Sequence, residues 1–356
     1  MRSPKKNPAP SGLIVGVVGA TGLVGRILLG VLEKRRFPVA ELRPFGSGRT
    51  GAAVSFQGRR LACRAVSVNA LLGCDLVFFV SSDEVSRRYG RRLADSGVWV
   101  IDDSSAFRLD PAVPLVIPEV NAPALSEKRR LIAGPNCTLT GAAVAAAPLL
   151  LAAGLSAVRI ASYQAVSGAG REALEEFRSQ MRRAGALLGG SEVLAVPPFP
   201  AARALPAPIA LNLFPQVGSF DRHGDSGEEF KVREELRKIW SLPRLPISVT
   251  AVRVPVIRSH SLALWVETRR PLGPARAQAL LRRAPGLSLW EGGGYPMPAT
   301  TQETDPVHVG RVRRGAAKNE LALWIVSDNL LKGAALNSVQ IAEILLSKRW
   351  LVHRGS

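Results

Sequence analysis

The chain has 356 residues, of which 47% are hydrophobic and 21% charged, as is typical of a globular protein with room for two domains. Three cysteines are too few for a disulfide framework, so a reducing compartment such as the cytoplasm is expected. The longest apolar run, residues 141–154, is too short to span a bilayer, and no membrane partner is expected.

The net charge of +19 admits two interpretations. One is a polyanionic partner such as nucleic acid, and the other is an arginine-rich surface with sites for phosphorylated ligands. The arginines are scattered along the chain, without zinc-ligand spacing, an RNA-binding signature or basic–aromatic alternation. We therefore predict no nucleic-acid partner.

The first third of the chain alternates buried strands with amphipathic helices. Residues 13–20, 74–82 and 98–105 are apolar runs typical of parallel strands, and a helix ending at Gly97 precedes the third of them. This alternation predicts an α/β fold with a doubly wound parallel sheet of the Rossmann type. We assign residues 12–136 to this dinucleotide-binding domain.

The rest of the chain has a different texture. Residues 157–170, 248–268 and 320–331 alternate apolar and polar side chains, which predicts a largely antiparallel or mixed sheet. We assign residues 137–329 to this second, α+β domain and return the C-terminal helix, within 330–356, to the first. Residues 185–210, rich in Ala and Pro, are interpreted as a loop excursion.

Glycines follow the first strand directly, in the stretch GVVGATGLVG. Glycines let a backbone approach a pyrophosphate, and the helix that they open supplies N–H donors. The spacing Gly19-x-x-Gly22-x-x-Gly25 differs from strict G-x-G-x-x-G, but its strand–loop–helix context favours a dinucleotide over an empty tight turn.

The stretch ELRPFGSGRTGAAV is predicted to be a second strand, between residues 13–20 and 74–82, that enters a loop. The end of this second strand carries Ser47, Arg49 and Thr50 instead of an acidic residue. A cation with hydroxyl donors suits a 2′-phosphate, which favours NADP over NAD. The alternative is an arginine that lies in solvent.

Cys137 stands in AGPNCTLTG, between a turn and an alanine-rich helix. The free N–H groups and the dipole at a helix N-terminus favour a thiolate there, so we expect a lowered thiol pKa. Together with a nicotinamide cofactor, this cysteine suggests aldehyde chemistry through a thioester. Cys63 and Cys74 lie in strand-like segments and are interpreted as inert packing residues.

A thioester mechanism needs a base, an oxyanion stabiliser and cations. Of the four histidines, His260 sits in VPVIRSHSLALW, at the end of a predicted strand and seven residues after Arg253. That odd offset puts the two side chains on opposite faces of an ideal strand, so a break near Pro255 is required. Gln164 precedes a glycine-rich turn and could contact a carbonyl oxygen, or it could be a simple strand-edge amide.

Seven blocks, in order, resemble the aspartate-β-semialdehyde dehydrogenase family across nearly the whole chain. They are GATGLVG, DDSSAFRLDPAVPLVIPEVNA, GPNCT, YQAVSGAGREAL, RVPVIRSHS, VGRVR and VSDNLLKGAALNSVQIAE. The resemblance implies NADPH-dependent reduction of 4-phospho-L-aspartate to L-aspartate 4-semialdehyde and phosphate, at the branch toward lysine, threonine, methionine and diaminopimelate. It also implies a homodimer or a dimer of dimers, and no metal.

The resemblance also implies roles for individual residues. Cys137 corresponds to the nucleophile, His260 to the general acid/base and Gln164 to the residue that orients the acyl group. The implied substrate-binding residues are Arg108 and Lys231 for phosphate, Arg253 for the α-carboxylate and Glu228 for the amino group. The implied cofactor-binding residues, besides the three after the second strand, are Gly19, Thr21, Gly22, Leu23, Val24, Ser167, Gly168 and Asn329.

The sequence departs from the family pattern at a few positions. Asp103 replaces a usual asparagine, Asp83 falls in a usually small Ser-Ala-Gly stretch that lines the cofactor cleft, and the cofactor loop lacks a lysine. A carboxylate at position 83 would be unfavourable near a phosphate unless it turns away.

Two other functions are considered. A related reductase acts on N-acetyl-glutamyl phosphate, whose acylated amine would give Glu228 no ammonium to bind. A non-enzymatic relative with the same fold would be signalled by loss of Cys137 or His260, and both are present.

Overall fold

The computed structural model of the protein describes residues 12–46, 51–187 and 201–354. Its contacts divide the chain into two units. Unit 1 comprises Met1–Phe107, Ser126–Ala133 and Ser338–Ser356; unit 2 comprises Arg108–Leu125 and Gly134–Asn337. These bounds differ from the predicted division chiefly at residues 108–125, which contact the second unit because they are held by side chains that come much later in the sequence.

Unit 1 is built on a six-stranded sheet in the order β5-β2-β1-β6-β7-β8, and every neighbouring pair is parallel. Its central strands are buried apolar runs, as expected when both faces of a parallel sheet are covered. The strands are β1 (Leu13–Val18), β2 (Val39–Gly46), β5 (Arg64–Ala65), β6 (Leu76–Phe79), β7 (Trp99–Asp102) and β8 (Leu131–Ala133), and β3 (Ala53–Phe56) and β4 (Arg59–Ala62) form a hairpin.

Three helices lie between these strands, α1 (Leu23–Lys34), α2 (Val68–Leu72) and α3 (Asp83–Asp95). The helix predicted to end at Gly97 ends two residues earlier, and Gly97 adopts φ +87°, a conformation that glycine reaches without strain. The strand–helix alternation over the described residues confirms the predicted α/β class.

Unit 2 contains a six-stranded mixed sheet in the order β10-β9-β11-β14-β13-β12. The two outer pairs, β10–β9 and β12–β13, are parallel, and the central pairs are antiparallel. The strands are β9 (Leu155–Gln164), β10 (Ile247–Arg253), β11 (His260–Thr268), β12 (Leu287–Leu289), β13 (Val307–Arg314) and β14 (Glu320–Ser327).

The helix α5 (Cys137–Ala153) packs on one face of this sheet and is buried along most of its length. Its alanines allow close approach to the strands. The other helices are α4 (Pro118–Asn121), α6 (Arg171–Leu187), α7 (Gly227–Ile239), α8 (Pro274–Arg283), α9 (Pro298–Thr301) and α10 (Leu336–Ser347), which continues into unit 1. The loop excursion predicted for residues 185–210 begins too early, because α6 continues to Leu187. Residues 188–200 lie outside the described residues, and residues 201–210 form neither helix nor strand.

Candidate active site

Cys137 is the first residue of α5, in the turn that the sequence indicated. The Oδ1 of Asn136 accepts a hydrogen bond from the Thr138 N–H at 2.7 Å and so caps the helix. On the other side, a π-helical turn brings Gly333 so close that an added Cβ would lie 2.8 Å from the Cys137 Cβ. The thiol is therefore held between a helix cap and a position that only glycine fits.

His260 lies next to this thiol. The Cys137 Sγ is 3.4 Å from His260 Nε2, and the Ala165 N–H donates to Nδ1 of the same ring at 3.0 Å. Because Nδ1 is an acceptor, the neutral ring carries its proton on Nε2 and directs it at the sulfur. Burial, followed by the Arg253 charge, lowers the pKa of His260 to about 3. The ring can gain a second proton only if the Ala165 bond opens.

The pKa of Cys137 is not lowered, and that prediction from the sequence is wrong for the free enzyme. Burial, followed by the Glu228 carboxylate, raises the pKa of the thiol to about 11, against the opposing charges of Arg108 and Arg253. The helix N-terminus was visible in the sequence, whereas the burial and the nearby carboxylate arise from the tertiary fold. The sulfur is therefore a protonated thiol at neutral pH.

The ends of three adjacent strands bring Gln164, Arg253 and His260 together. Gln164 ends β9 and is in register with Arg253, which ends β10. On the opposite side of β9, β11 runs antiparallel and begins at His260. Between the two strands the chain turns through Ser259 at φ +73°. This turn is the break near the proline that the offset between arginine and histidine required.

Glu228, on α7, is buried beside the thiol turn. Its Oε1 accepts hydrogen bonds from Gln164 Nε2 at 3.1 Å and Thr138 Oγ1 at 2.9 Å. Its Oε2 accepts one from Asn136 Nδ2 at 3.0 Å and lies 4.0 Å from the Lys231 ammonium. The carboxylate is thus fixed by residues on both sides of Cys137 and by the predicted acyl-orienting glutamine.

The three predicted cations differ in exposure. Arg253 and Arg108 are buried, whereas the Lys231 side chain is 41% exposed. Arg253 donates from Nη1 to the Ala165 carbonyl at 2.7 Å, and burial lowers the pKa of its guanidinium. Arg108 donates from Nε to the Gly134 carbonyl at 2.9 Å. All three lie in unit 2 with the thiol, so a carboxylate or phosphate substrate would meet positive charge there.

Three predicted cofactor residues also belong to unit 2 and lie beside the histidine. Asn329 Nδ2 donates to Ser167 Oγ at 3.0 Å, and Asn329 Oδ1 accepts from the Ser259 N–H at 2.9 Å. A Cβ on Gly168 would lie 3.2 Å from both Arg253 Nη1 and His260 Cε1. These residues therefore border the imidazole.

The predicted phosphate-binding loop lies in unit 1 at the start of α1. Gly19 has φ +89°, and a Cβ on it would overlap the Val80 carbonyl oxygen. A Cβ on Gly25 would overlap the Gly19 carbonyl oxygen. Gly22 is the N-cap of α1, whose first turn contains Leu23 and Val24. The backbone is thus compact, with the helix N-terminus available to an anion.

A groove of about 530 Å³ runs beside this loop, a volume within the usual range of small-molecule and cofactor sites. Gly19, Thr21 and Gly22 line it, together with Arg88 and Tyr89 from α3. The predicted 2′-phosphate residues Ser47, Arg49 and Thr50 lie outside the described residues.

The two unusual aspartates of unit 1 are bound to hydroxyl groups. Asp83 accepts hydrogen bonds from the Ser105 N–H at 2.9 Å and the Ser105 Oγ at 2.5 Å. Asp103 accepts one from Ser338 Oγ at 2.5 Å. The Asp83 carboxylate is therefore held by the turn after β7. This contact satisfies both of its oxygens, which is how a carboxylate can be accommodated near a phosphate-binding site.

Cys63 and Cys74 carry thiols whose pKa values burial raises, as suits packing residues. Across residues 12–46, 51–187 and 201–354, no group of three or more His, Cys, Asp or Glu side chains is arranged to hold a metal ion. In the same described ranges, no helix is both long and apolar enough to cross a membrane.

Several side chains at the site had no clear signal in the sequence. Thr138 and Asn136 were visible as neighbours of the cysteine, but their bonds to Glu228 join positions about ninety residues apart. Glu235, two turns after Glu228 on α7, accepts a hydrogen bond from the Asn136 N–H at 2.8 Å and was not predicted as a site residue. A periodicity of three to four residues from Glu228 along the helix was its only signal.

The chain is similar to known proteins over most of its length. Residues 14–128 match the family described as semialdehyde dehydrogenase, NAD binding domain, and residues 146–332 match semialdehyde dehydrogenase, dimerisation domain. The chain is 40% identical to aspartate-semialdehyde dehydrogenase of Synechocystis sp., covering 96% of this chain and 100% of that protein. It is also 40% identical to the Bacillus subtilis protein of that name, covering 94% and 97%.

A solved structure is similar over the same extent. Aspartate semialdehyde dehydrogenase II from Vibrio cholerae, in a crystal structure complexed with ASA, is 35% identical and has a TM-score of 0.88, covering 95% of this chain and 99% of that one. The chain has a cysteine–histidine pair at the start of a helix and a glycine-rich loop after the first strand. Because it is also 35–40% identical to these proteins over nearly its full length, the chain belongs to the aspartate-semialdehyde dehydrogenase family.

Proposed function

We propose that the protein reduces 4-phospho-L-aspartate to L-aspartate 4-semialdehyde and inorganic phosphate with NADPH, in the biosynthesis of lysine, threonine, methionine and diaminopimelate. The observation that carries the proposal is that Cys137 Sγ lies 3.4 Å from His260 Nε2. The buried side chains of Arg108, Arg253 and Glu228 act electrostatically on the same sulfur. Family membership supports the same reaction.

The charges around the thiol fit an aspartyl group. The Arg253 guanidinium suits the α-carboxylate, and the buried Glu228 carboxylate suits the α-ammonium. An N-acetylated amine carries no positive charge, so it would bring no ammonium to pair with the buried Glu228 carboxylate. This pairing favours the aspartyl substrate over N-acetyl-glutamyl phosphate.

Two cations suit the phosphate group. Arg108 can bind phosphate oxygens through its planar guanidinium, and Lys231 on α7 can act as an exposed point charge. In the synthetic direction they stabilise the leaving phosphate, and in the reverse direction they bind the attacking one.

The chain's own residues account for the covalent steps. The Cys137 thiol loses its proton and the sulfur attacks the acyl carbon. The carbon–oxygen bond to phosphate breaks, and phosphate leaves with the electron pair and takes up that proton, which gives a thioester and hydrogen phosphate. When bound, NADPH supplies the hydride that reduces the thioester carbonyl carbon. The His260 Nε2–H donates a hydrogen bond to sulfur and to the oxygen that becomes negative. Breakage of the carbon–sulfur bond then releases the aldehyde and the thiolate.

We assign the cofactor pyrophosphate to the loop of Gly19 and Gly22 and the first turn of α1. Ser167, Gly168 and Asn329 border His260 and are assigned to the nicotinamide end. The NADP preference rests on Ser47, Arg49 and Thr50 in the sequence.

We further propose a homodimer formed through the mixed sheet of unit 2. The face opposite α5 carries the partly exposed aromatic side chains of Tyr163, Trp265 and Trp324, and the rings of Tyr163 and Trp324 lie 5.6 Å apart. Aromatic side chains with partial exposure are common at interface cores. A dimer of dimers is the alternative assembly, and analytical ultracentrifugation distinguishes the two.

The function is tested by phosphate-dependent reduction of NADP with L-aspartate 4-semialdehyde. NAD and N-acetyl-glutamate 5-semialdehyde are run beside it. We expect turnover with the aspartyl substrate and NADP, and none from Cys137→Ala, which should still bind NADP. Turnover with the N-acetylated aldehyde alone, or full activity of Cys137→Ala, contradicts the proposal.

A further inference from the structure

Glu235 is a buried carboxylate that the proposed mechanism does not use. It lies on α7, two turns after Glu228, with a relative exposure of 1%. Its Oε1 is 3.3 Å from Arg108 Nη1, and its Oε2 accepts the Asn136 N–H at 2.8 Å. One carboxylate therefore joins a phosphate-binding arginine to the turn that carries the nucleophile.

The contacts of Arg108 divide between its main chain and its side chain. Lys238, one turn further along α7, donates to the carbonyl oxygens of Arg108, Asp110 and Val113 at 2.7–2.8 Å. These bonds hold the backbone of the segment without any help from Glu235. Glu235 instead acts on the guanidinium, whose Nε donates to Gly134 in the same turn. The two functions are separable by mutation.

Burial of the charged Glu235 carboxylate costs free energy unless partners compensate it. Burial raises the pKa of Glu235, and Arg108 and the Asn136 N–H oppose that rise. A glutamine could still accept the Asn136 N–H, but it would lose the charge that orients the guanidinium. The geometry thus distinguishes this residue from a simple support of the turn.

We propose that Glu235 is a positioning residue that sets the Arg108 guanidinium relative to the Cys137 turn, and so determines phosphate affinity. The proposal rests on the phosphate role of Arg108 in the proposed function. Glu235 touches neither substrate nor sulfur and acts only through Arg108 and the backbone of Asn136.

The test compares Glu235→Gln with the matched control Glu234→Gln in the phosphate-dependent oxidation of L-aspartate 4-semialdehyde. Glu234 is the neighbouring residue on α7, is partly exposed and pairs only with Arg233 and Arg237 among the described contacts. For Glu235→Gln we expect the KM for phosphate to rise about tenfold to hundredfold, which corresponds to the loss of one charge-assisted hydrogen bond. The KM for the aldehyde should stay within about twofold of the wild-type value. Glu234→Gln should match the wild type in both.

A mutant cycle and a rescue keep the interpretation specific. In an Arg108→Ala background, Glu235→Gln should produce no further loss of phosphate affinity. Glu235→Asp, which keeps the charge on a shorter side chain, should recover part of the affinity and serves if the glutamine variant does not fold. Equal increases of both KM values, or an unchanged phosphate KM, overturn the assignment.

A direct binding measurement separates this proposal from the proposed function. Inorganic phosphate is titrated into each protein and followed by ³¹P line broadening, with no turnover required. If the wild type binds phosphate but does not oxidise the aldehyde, the proposed function fails, and weaker binding by Glu235→Gln still supports the positioning role. Equal binding by wild type and Glu235→Gln refutes that role whatever the activity.

Discussion

The protonation state of Cys137 in the free enzyme can be tested by changing one charge. The raised pKa of about 11 corresponds to about 3 kcal/mol relative to the ordinary thiol. At pH 8 about 0.1% of the sulfur would then be thiolate, compared with about a quarter for a free cysteine. The higher nucleophilicity of a more basic thiolate offsets about tenfold of this difference, which leaves alkylation about 20-fold slower than for free cysteine.

Removal of the Glu228 charge should reverse part of this effect. Glu228→Gln keeps an acceptor for Thr138 Oγ1 but removes the carboxylate that is bonded to residues on both sides of Cys137. A unit charge within 4–8 Å amounts to roughly 2–4 kcal/mol at an effective dielectric constant of 20. At about 1.4 kcal/mol per pKa unit, we therefore expect the apparent thiol pKa to fall by about 1.5 to 3 units, even though substrate binding weakens.

The assay is iodoacetamide alkylation between pH 6 and pH 10.5, resolved by peptide mass spectrometry. Cys63 is measured in the same digest as an internal reference, and Glu234→Gln is the control for a charge lost elsewhere on α7. An apparent Cys137 pKa of 8.5 or lower in the wild type would refute the reasoning. So would a pKa that Glu228→Gln leaves unchanged.

Three further predictions concern the loop, the unusual aspartate and the histidine. Gly25→Ala should abolish dinucleotide binding, measured by quenching of NADPH fluorescence, because the added Cβ would overlap a loop carbonyl oxygen. The control is Gly30→Ala on the same helix, where an added Cβ meets open space. It should leave binding unchanged and stabilise the fold by about 0.5–1 kcal/mol. Asp83→Asn should change NADP affinity by less than about twofold, because its carboxylate is bonded to Ser105, whereas a tighter complex would show that it faces the phosphates. His260→Ala should slow turnover by about 10²–10³-fold, because it removes the Nε2–H hydrogen bond to the oxygen that becomes negative, and a smaller loss would contradict that role.

Much of the site followed from local sequence, because its residues lie where strands end or helices begin. The turn before Cys137 and the break between Arg253 and His260 are both consequences of backbone rules that short segments reveal. The predicted arrangement of a mixed sheet was confirmed as well, although residues 248–268 proved to be two strands, β10 and β11, instead of one continuous run.

The remainder depends on contacts between distant parts of the chain. The sequence showed that Cys137 begins a helix, but burial and Glu228 override the effect of the helix on the thiol pKa. Likewise, the sequence predicted residues 108–125 to be part of the first domain. In the structure they belong to unit 2, where Lys238 donates hydrogen bonds to the carbonyl oxygens of residues 108, 110 and 113. Neither effect leaves a periodic or compositional signal, since each depends on two segments that only the fold brings together.

The position of Glu228 links substrate recognition to chemistry. Its carboxylate is already fixed by Gln164, Thr138 and Asn136, so binding an ammonium requires no rearrangement of the glutamate. The same negative charge opposes thiolate formation in the free enzyme, and an α-ammonium would neutralise it. A substrate with a free amine therefore favours the reactive form of Cys137, whereas an acylated amine leaves the sulfur protonated. The enzyme then discriminates between free-amine and acylated-amine substrates at the chemical step, where binding energy raises kcat instead of only lowering KM.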